Sequence, residues 1–173
     1  MQEKTKGIIQ IVFSILIVLV MLYFSDYLEH FSVLGYFGIF IISLFGSATI
    51  LIPVPSWAFV VGASRILNPY LVGISAGIGS GLGEITGFIA GRGVSHIIHT
   101  NKMFIKYKDW ITKNDVLAIG ILAFIPNPMF DVAGLIAGSL RIKLWRFILP
   151  CIIGRIFRYV ILAYLGKFSI NYI

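Results

Sequence analysis

Charged side chains are scarce in this sequence. Asp, Glu, Lys and Arg make up 12% of its 173 residues, whereas 58% of the residues are hydrophobic and the mean hydropathy is +0.96. A soluble globular domain carries about 25% charged residues, which it needs for its surface. The composition therefore excludes an ordinary soluble domain and predicts an all-α integral membrane protein, with residues 1–173 forming a single domain.

Cysteine occurs only once, at Cys151, which excludes an internal disulfide and a cysteine-based zinc site. His96 and His99 have no acidic or cysteine partner at ligand spacing and are interpreted as interfacial polar residues. The sequence also lacks a Ser/His/Asp set and a phosphotransfer motif at workable spacing. We therefore expect a protein that is not an enzyme and that has no cofactor and no metal site.

Acidic residues are half as frequent as basic ones. The 7 Asp and Glu residues stand against 14 Lys and Arg residues, so that the net charge is +7. In a membrane protein, such an excess bears on orientation and on attraction to anionic headgroups. We expect membrane lipids as partners and no nucleic acid, and the sequence leaves open whether two copies form a homodimer.

The first apolar run, residues 8–24, has the length of one membrane span and follows Lys4 and Lys6. A cleaved signal peptide is the alternative, but no Ala-x-Ala site follows the run. Residues 1–30 are therefore predicted to form a transmembrane helix whose amino end faces the cytoplasm. We expect this helix in the cytoplasmic membrane of a prokaryote.

Residues 31–64 contain no charged residue and no histidine. This stretch is too long for one span and too short for two spans of about 20 residues with a turn. Pro53 and Pro55 interrupt it, and irregular backbone inside a bilayer is tolerated only within protein or beside a wet cavity. We predict a re-entrant hairpin that breaks at these prolines; a long, tilted, proline-kinked helix is the alternative.

Residues 70–90 form the next predicted span, which completes a first unit over residues 31–93. Gly83, Gly87 and Gly91 have small-xxx-small spacing, which lets another helix approach closely. The stretch GIGSGLGEI in this span lacks the spacing of a nucleotide-binding motif and has no strand before it. We therefore reject a nucleotide-binding interpretation.

The second half of the chain repeats the first after an amphipathic segment, residues 94–114, that is predicted to lie at the membrane interface. Ile-Pro-x-Pro at 125–128, which contains Pro126 and Pro128, matches Ile-Pro-x-Pro at 52–55. Residues 115–170 thus form a second hairpin followed by a transmembrane helix. The basic clusters after residue 91 and after residue 140 both reach the cytoplasm only if the two units are inverted relative to each other. The sequence therefore predicts an inverted repeat, as in many secondary transporters.

Four ionisable residues are predicted at membrane depth: Glu84, Asp131, Arg155 and Arg158. Each is costly in lipid and is expected to face the protein interior or a water-filled cavity. One interpretation is that the acids pair with the arginines for structure alone. The other is that the arginines bind a phosphate while the acids take up and release protons. The two are compatible, because a salt bridge that opens to admit an anion is also a gate.

The chain resembles the DedA superfamily, the VTT-domain or SNARE-associated Golgi proteins, over roughly residues 33 to 167. The family motif that follows the proline-containing first hairpin is met by Gly83, Glu84, Phe88, Gly91 and Arg92. The motif of its second hairpin is met by residues 124–126, Ala137, Gly138, Arg141, Arg146 and Phe147. GRIFRYV at 154–160 resembles the last helix of the small YqaA-like branch.

The chain also departs from the family pattern. Ser56 stands where the family has an acid after the first prolines, and Ala123 and Met129 stand where arginines flank the second Phe-Ile-Pro. We hypothesise that Asp131, Arg155 and Arg158 replace these residues.

The resemblance implies movement of lipid between leaflets, since relatives include undecaprenyl-phosphate translocases and phospholipid scramblases. We expect a transporter of a polyprenyl phosphate or a phospholipid, with proton coupling left open. The alternatives are an unselective phospholipid scramblase and a non-transporting scaffold or envelope-assembly factor that packs the glycine face of residues 73–91 against a partner. The expected phosphate ligands are Arg155, Arg158, Arg141 and Arg92, and the expected proton-coupling or gating residues are Glu84 and Asp131.

Overall fold

The computed structural model describes residues 32–48, 56–93, 109–125 and 130–170. The predicted amino-terminal helix, most of the segment 94–114 and the four hairpin prolines lie outside these residues. The described residues are almost all helical and include no strand, which confirms the all-helical fold class. The helices are α1 (Ser32–Ala48), α2 (Ser56–Ala63), α3 (Pro69–Gly83), α4 (Ile85–Gly93), α5 (Asp115–Phe124), α6 (Phe130–Ser139) and α7 (Leu144–Ile170), and residues 109–113 are also helical.

Within the described residues, two stretches of helix are long and apolar enough to cross a membrane, Pro69–Gly93 and Leu144–Phe168. The first contains α3 and α4, which meet at Glu84, and its amino end is capped by Asn68, whose side chain accepts a hydrogen bond from the Tyr70 amide. Pro69 follows the cap in the first turn, where no intrahelical N–H is required. The second stretch belongs to α7, whose 27 residues extend for about 40 Å, more than the ~30 Å of a bilayer core.

The helices α3 and α7 pack closely along their length because α3 presents glycines to α7. A Cβ added at Gly73 would lie 2.5 Å from Val160 Cα, one at Gly77 would lie 2.5 Å from Ile156 Cα, and Gly81 faces Ile152 in the same way. The contacts on α7 move towards its amino end as those on α3 move towards its carboxyl end. The two helices therefore run antiparallel, with their backbones in near contact.

The shorter helices pack on the long ones in a matched arrangement. Helix α1 packs on α3, and α5 packs on α7. Helix α2, which follows α1, packs on α7, whereas α6, which follows α5, packs on α4. Each of these shorter pairs thus contributes one helix to each long stretch.

Helix α7 has one buried face and one exposed face. Phe147, Cys151, Arg155, Tyr159 and Ala163 recur every four residues and are all buried. The opposite face is formed by Leu149, Ile153, Phe157, Ile161 and Leu165, which are 47–61% exposed. A helix that buries polar groups and exposes large apolar side chains is suited to a lipid surround.

The predicted interruptions at the prolines fall on residues outside the described ranges. On the described side of the second one, α5 ends at Phe124. Ile125, directly before Pro126, has extended backbone angles, as a residue before proline prefers. Whether these segments re-enter the bilayer stays a prediction.

Candidate functional site

A buried ion pair lies at the contact between the two long stretches. Arg155, near the middle of α7, donates from Nη2 to Oε1 of Glu84, the residue at which α3 meets α4. Arg155 is 6% exposed and Glu84 is 3% exposed. The structural interpretation of the sequence anticipated this contact, and the structure brings these two predicted residues together.

Serine hydroxyls extend the pair towards α1. The Nη1 group of Arg155 also donates to Ser80 Oγ at 2.8 Å, and Ser80 is fully buried one turn before Glu84. The Ser80 hydroxyl shares a further hydrogen bond of 2.6 Å with Ser47 Oγ on α1. The guanidinium therefore has a neutral partner as well as a charged one, and the polar network joins three helices.

A second polar contact lies one turn further along the inner face of α7. The Tyr159 hydroxyl and Ser56 Oγ share a buried hydrogen bond of 2.9 Å. Ser56 is the first residue of α2 and follows Pro53 and Pro55 in the chain. The amino end of α2 is thus tied to the same face of α7 that carries Arg155.

Arg158 lies beside this network without joining the ion pair. Its side chain is partly exposed, its guanidinium carbon stands 5.7 Å from the centre of the Tyr159 ring, and its Nε is buried without a hydrogen bond to any residue that the structure describes. A partly exposed guanidinium outside the ion pair is suited to binding an anion.

The other two predicted phosphate ligands lie elsewhere, near the carboxyl end of α6. Arg92 donates from Nη2 to the carbonyl of Ile142 at 3.3 Å and lies over the Phe88 ring at 4.9 Å. Arg141 is exposed and has a φ of 56°, a left-handed conformation that favours glycine. In this structure both arginines are associated with the turn after α6, and their role in phosphate binding stays a prediction.

Asp131 belongs to the first turn of α6, but its side chain lies outside the described part of the structure. The same holds for the hairpin prolines. Within the described ranges, no group of three His, Cys, Asp or Glu side chains could hold a metal ion.

The three glycines predicted to pack helices have different neighbours. A Cβ at Gly83 would meet the Leu44 carbonyl of α1, whereas one at Gly91 would meet the Leu135 carbonyl of α6. At Gly87 the nearest neighbour of such a Cβ is Glu84 Oε2, at 4.0 Å. The glycine face thus serves packing within the chain, with Gly87 next to the buried carboxylate.

Sequence reasoning missed three members of the network: Ser80, Ser47 and Tyr159. Two of them could have been predicted from the sequence. Ser80 stands four residues before Glu84 and Tyr159 stands four residues after Arg155, and side chains at that spacing share a helix face. Ser47 could not have been predicted in this way, since its contact with Ser80 depends on how α1 packs on α3.

The family assignment follows from comparison with known proteins. A model of the VTT domain matches residues 54–168, which include the ion pair and most of the described helices. The chain belongs to the VTT domain family. This confirms the resemblance that was inferred from the motifs around Glu84 and Arg141.

Two VTT-domain relatives are vacuole membrane proteins of Arabidopsis thaliana. The protein KMS2 is 32% identical over 101 residues, which are 51% of this chain and 22% of the relative. The protein KMS1 is 30% identical over 112 residues, which are 65% of this chain and 25% of the relative. The chain spans about a quarter of the length of these curated relatives. No solved structure matches it.

The family, the membrane proteins among its relatives and the two long apolar helices together identify a membrane protein. The orientation of the amino terminus and the kind of cell stay predictions.

Proposed function

We propose that this VTT-domain protein moves a phosphate-bearing lipid, a polyprenyl phosphate or a phospholipid, between membrane leaflets. The observation that carries the proposal is the buried ion pair of Arg155 with Glu84 between two helices that could span a bilayer. The headgroup would enter the protein at this pair while the hydrocarbon tail stays in lipid.

The energetic argument starts from the cost of the charges. A charged side chain at the centre of a spanning helix costs about 2.5–3.5 kcal/mol on insertion scales. Replacing a buried ion pair by well-packed apolar residues is often neutral or stabilising, so the pair is weakly justified by stability alone. Ionisable residues at membrane depth are typical of substrate and proton pathways. This pair lies between two helices that are long and apolar enough to span a bilayer.

The geometry supports a gate that opens on anion binding. Arg155 is held by Glu84 and by Ser80, and protonation of Glu84 would remove the charge that retains the guanidinium. The freed Arg155 and the neighbouring Arg158 would then bind one phosphate between two guanidinium groups. Return of the proton to solvent would restore the ion pair and release the lipid.

We further propose that the two halves of the chain form the predicted inverted repeat. The supporting observation is that each unit packs one short helix on the long helix of the other unit: α2 packs on α7, whereas α6 packs on α4. The glycines that meet them correspond, since a Cβ at Gly166 would approach Val61 of α2, and one at Gly91 would approach Leu135 of α6. The antiparallel crossing of α3 and α7 would then lie where the two units meet, as does the binding site in inverted-repeat transporters.

The scaffold alternative loses the surface that it relied on. The glycines at 73, 77 and 81 face α7, and those at 79 and 83 face α1. A partner protein would therefore have to use another surface. The scramblase alternative requires no proton coupling. It differs from the proposed transporter in moving different lipids without selectivity.

The test is a leaflet-reversal assay in liposomes that contain the purified chain. Fluorescent phosphatidylcholine and a short-chain polyprenyl phosphate are compared with and without a pH gradient. Selective, gradient-sensitive movement of the polyprenyl phosphate is expected for a coupled carrier. Equal movement of both lipids would make the protein a scramblase, and no movement under any condition would overturn the proposal.

A further inference from the structure

An apolar groove runs between α5 and α7 on the outside of the molecule, away from the buried ion pair. Its volume is about 460 Å³, and its walls are large apolar side chains such as Leu117, Ile121, Leu149 and Phe157. This volume lies within the ~300–1,000 Å³ range of small-molecule sites. From Arg146 to Phe157 the groove follows α7 for about 16 Å.

One end of the groove is charged and the rest is not. Arg146 lines the groove near the amino end of α7, and its Nη2 forms an exposed ion pair of 2.9 Å with Asp115 Oδ1 at the amino end of α5. Lys143, also exposed, precedes Arg146 by one helical turn. Trp145 lies beside Arg146 on the groove wall, as aromatic side chains do at the level of lipid headgroups.

We propose that this groove binds one hydrocarbon chain of a phosphate-bearing lipid with a net negative charge, with its phosphate on Arg146. The choice of an anionic lipid follows from charge, because Arg146 and Lys143 outnumber Asp115 at this end. The lipid phosphate competes with the Asp115 carboxylate for the Arg146 guanidinium. The inference takes the class of lipid from the proposed function. The groove itself is a separate, peripheral site, which binds the lipid before it reaches Arg155.

Gly120 makes the groove testable without disturbing the helix contact. A Cβ added at Gly120 would meet Pro150 Cβ at 3.6 Å, an ordinary contact, so a longer side chain there would occupy the groove. Gly154, on the opposite wall, is unsuitable because a Cβ there would collide with the Gly120 carbonyl.

The experiment uses the full chain in detergent micelles with Trp145 as its only tryptophan, after Trp57→Phe and Trp110→Phe. Quenching of Trp145 fluorescence by phosphatidic acid with brominated acyl chains is compared with quenching by the matching phosphatidylcholine. We expect about fivefold tighter apparent binding of the phosphatidic acid, the size of an exposed charge interaction. Arg146→Gln is expected to abolish this preference, Asp115→Asn to increase it, and Gly120→Leu to weaken quenching by both lipids.

Lys167→Gln is the matched control, since Lys167 is an exposed cation at the other end of α7, and it is expected to change nothing. Equal binding of both lipids in the Trp145 protein would overturn the inference, as would a preference that survives Arg146→Gln or falls in Asp115→Asn. Transport without Arg146-dependent binding would refute the groove alone. Arg146-dependent binding by a chain that transports no lipid would refute the proposed function alone.

Discussion

Glu84 and Arg155 each remove the cost of burying the other. Both side chains are almost fully enclosed, so removal of one leaves a single charge in an apolar interior. Ser80 remains as a neutral partner for Arg155 but supplies no countercharge. Removal of one member of the pair is therefore expected to destabilise the molecule more than removal of both.

A double-mutant cycle on this pair measures how strongly the two residues are coupled in the folded protein. We expect Glu84→Ala to lower the free energy of unfolding by about 3–5 kcal/mol, the cost of breaking a buried pair, and Glu84→Ala/Arg155→Ala to regain much of that loss. Thermal unfolding in detergent measures both. The matched control is the exposed pair Asp115–Arg146, where each alanine is expected to cost less than ~1 kcal/mol. Additive losses at Glu84 and Arg155 would contradict this account.

At the scale of single helices, the contacts of α3 are set by its glycines. Gly79 faces the Phe40 carbonyl of α1, while Gly73 and Gly77 face backbone atoms of α7. One helix can approach two neighbours at backbone distance only if each contact face lacks side chains. The element therefore cannot tolerate a methyl group on either face without moving a neighbour.

Gly79→Ala is expected to destabilise the protein by about 1–3 kcal/mol because its Cβ would overlap the Phe40 carbonyl oxygen. The control is Gly38→Ala on α1, where a Cβ meets nothing within 4 Å and alanine favours the helix by up to ~1 kcal/mol. The melting temperature in detergent measures both. Equal melting temperatures for the two variants would show that α1 and α3 are less tightly packed than described.

The sequence predicted the elements better than their partners. Residues 70–90 were expected as a span, and helix extends over Pro69–Gly93 with a change of helix at Glu84. This span could be predicted because apolar composition is a property of the segment itself. The glycine spacing indicated close packing but not which helix would fill each face. That choice depends on contacts between residues far apart in the chain, such as Ser47 with Ser80 and Ser56 with Tyr159.

At the scale of the whole molecule, the inverted repeat makes a prediction about sidedness. The turn before α3 and the turn before α7 must reach opposite membrane surfaces if each hairpin returns to the side from which it entered. A proline-kinked helix spanning the membrane over residues 31–64 would place the turn before α3 on the side of the amino terminus.

Cysteine accessibility tests this sidedness. In a Cys151→Ala background, Asn68→Cys and Lys143→Cys introduce thiols at exposed positions before α3 and α7. A membrane-impermeant maleimide applied to intact cells is expected to label position 68 and to label position 143 only after permeabilisation. Labelling of position 143 but not position 68 in intact cells would contradict the orientation, and equal labelling of both would contradict the inverted repeat.

The measurement that tests the central claim most directly is lipid transport by variants of Arg155 in reconstituted liposomes. The account predicts that Glu84→Ala/Arg155→Ala, which removes both charges, remains folded but loses at least about tenfold of the polyprenyl phosphate transport rate, since hydrogen bonds to charged groups contribute about 1.5–3 kcal/mol. Lys167→Ala, which removes an exposed cation of the same helix, is expected to transport as the unmodified protein does. Undiminished transport by the double variant would contradict the claim that this ion pair opens to bind the lipid phosphate.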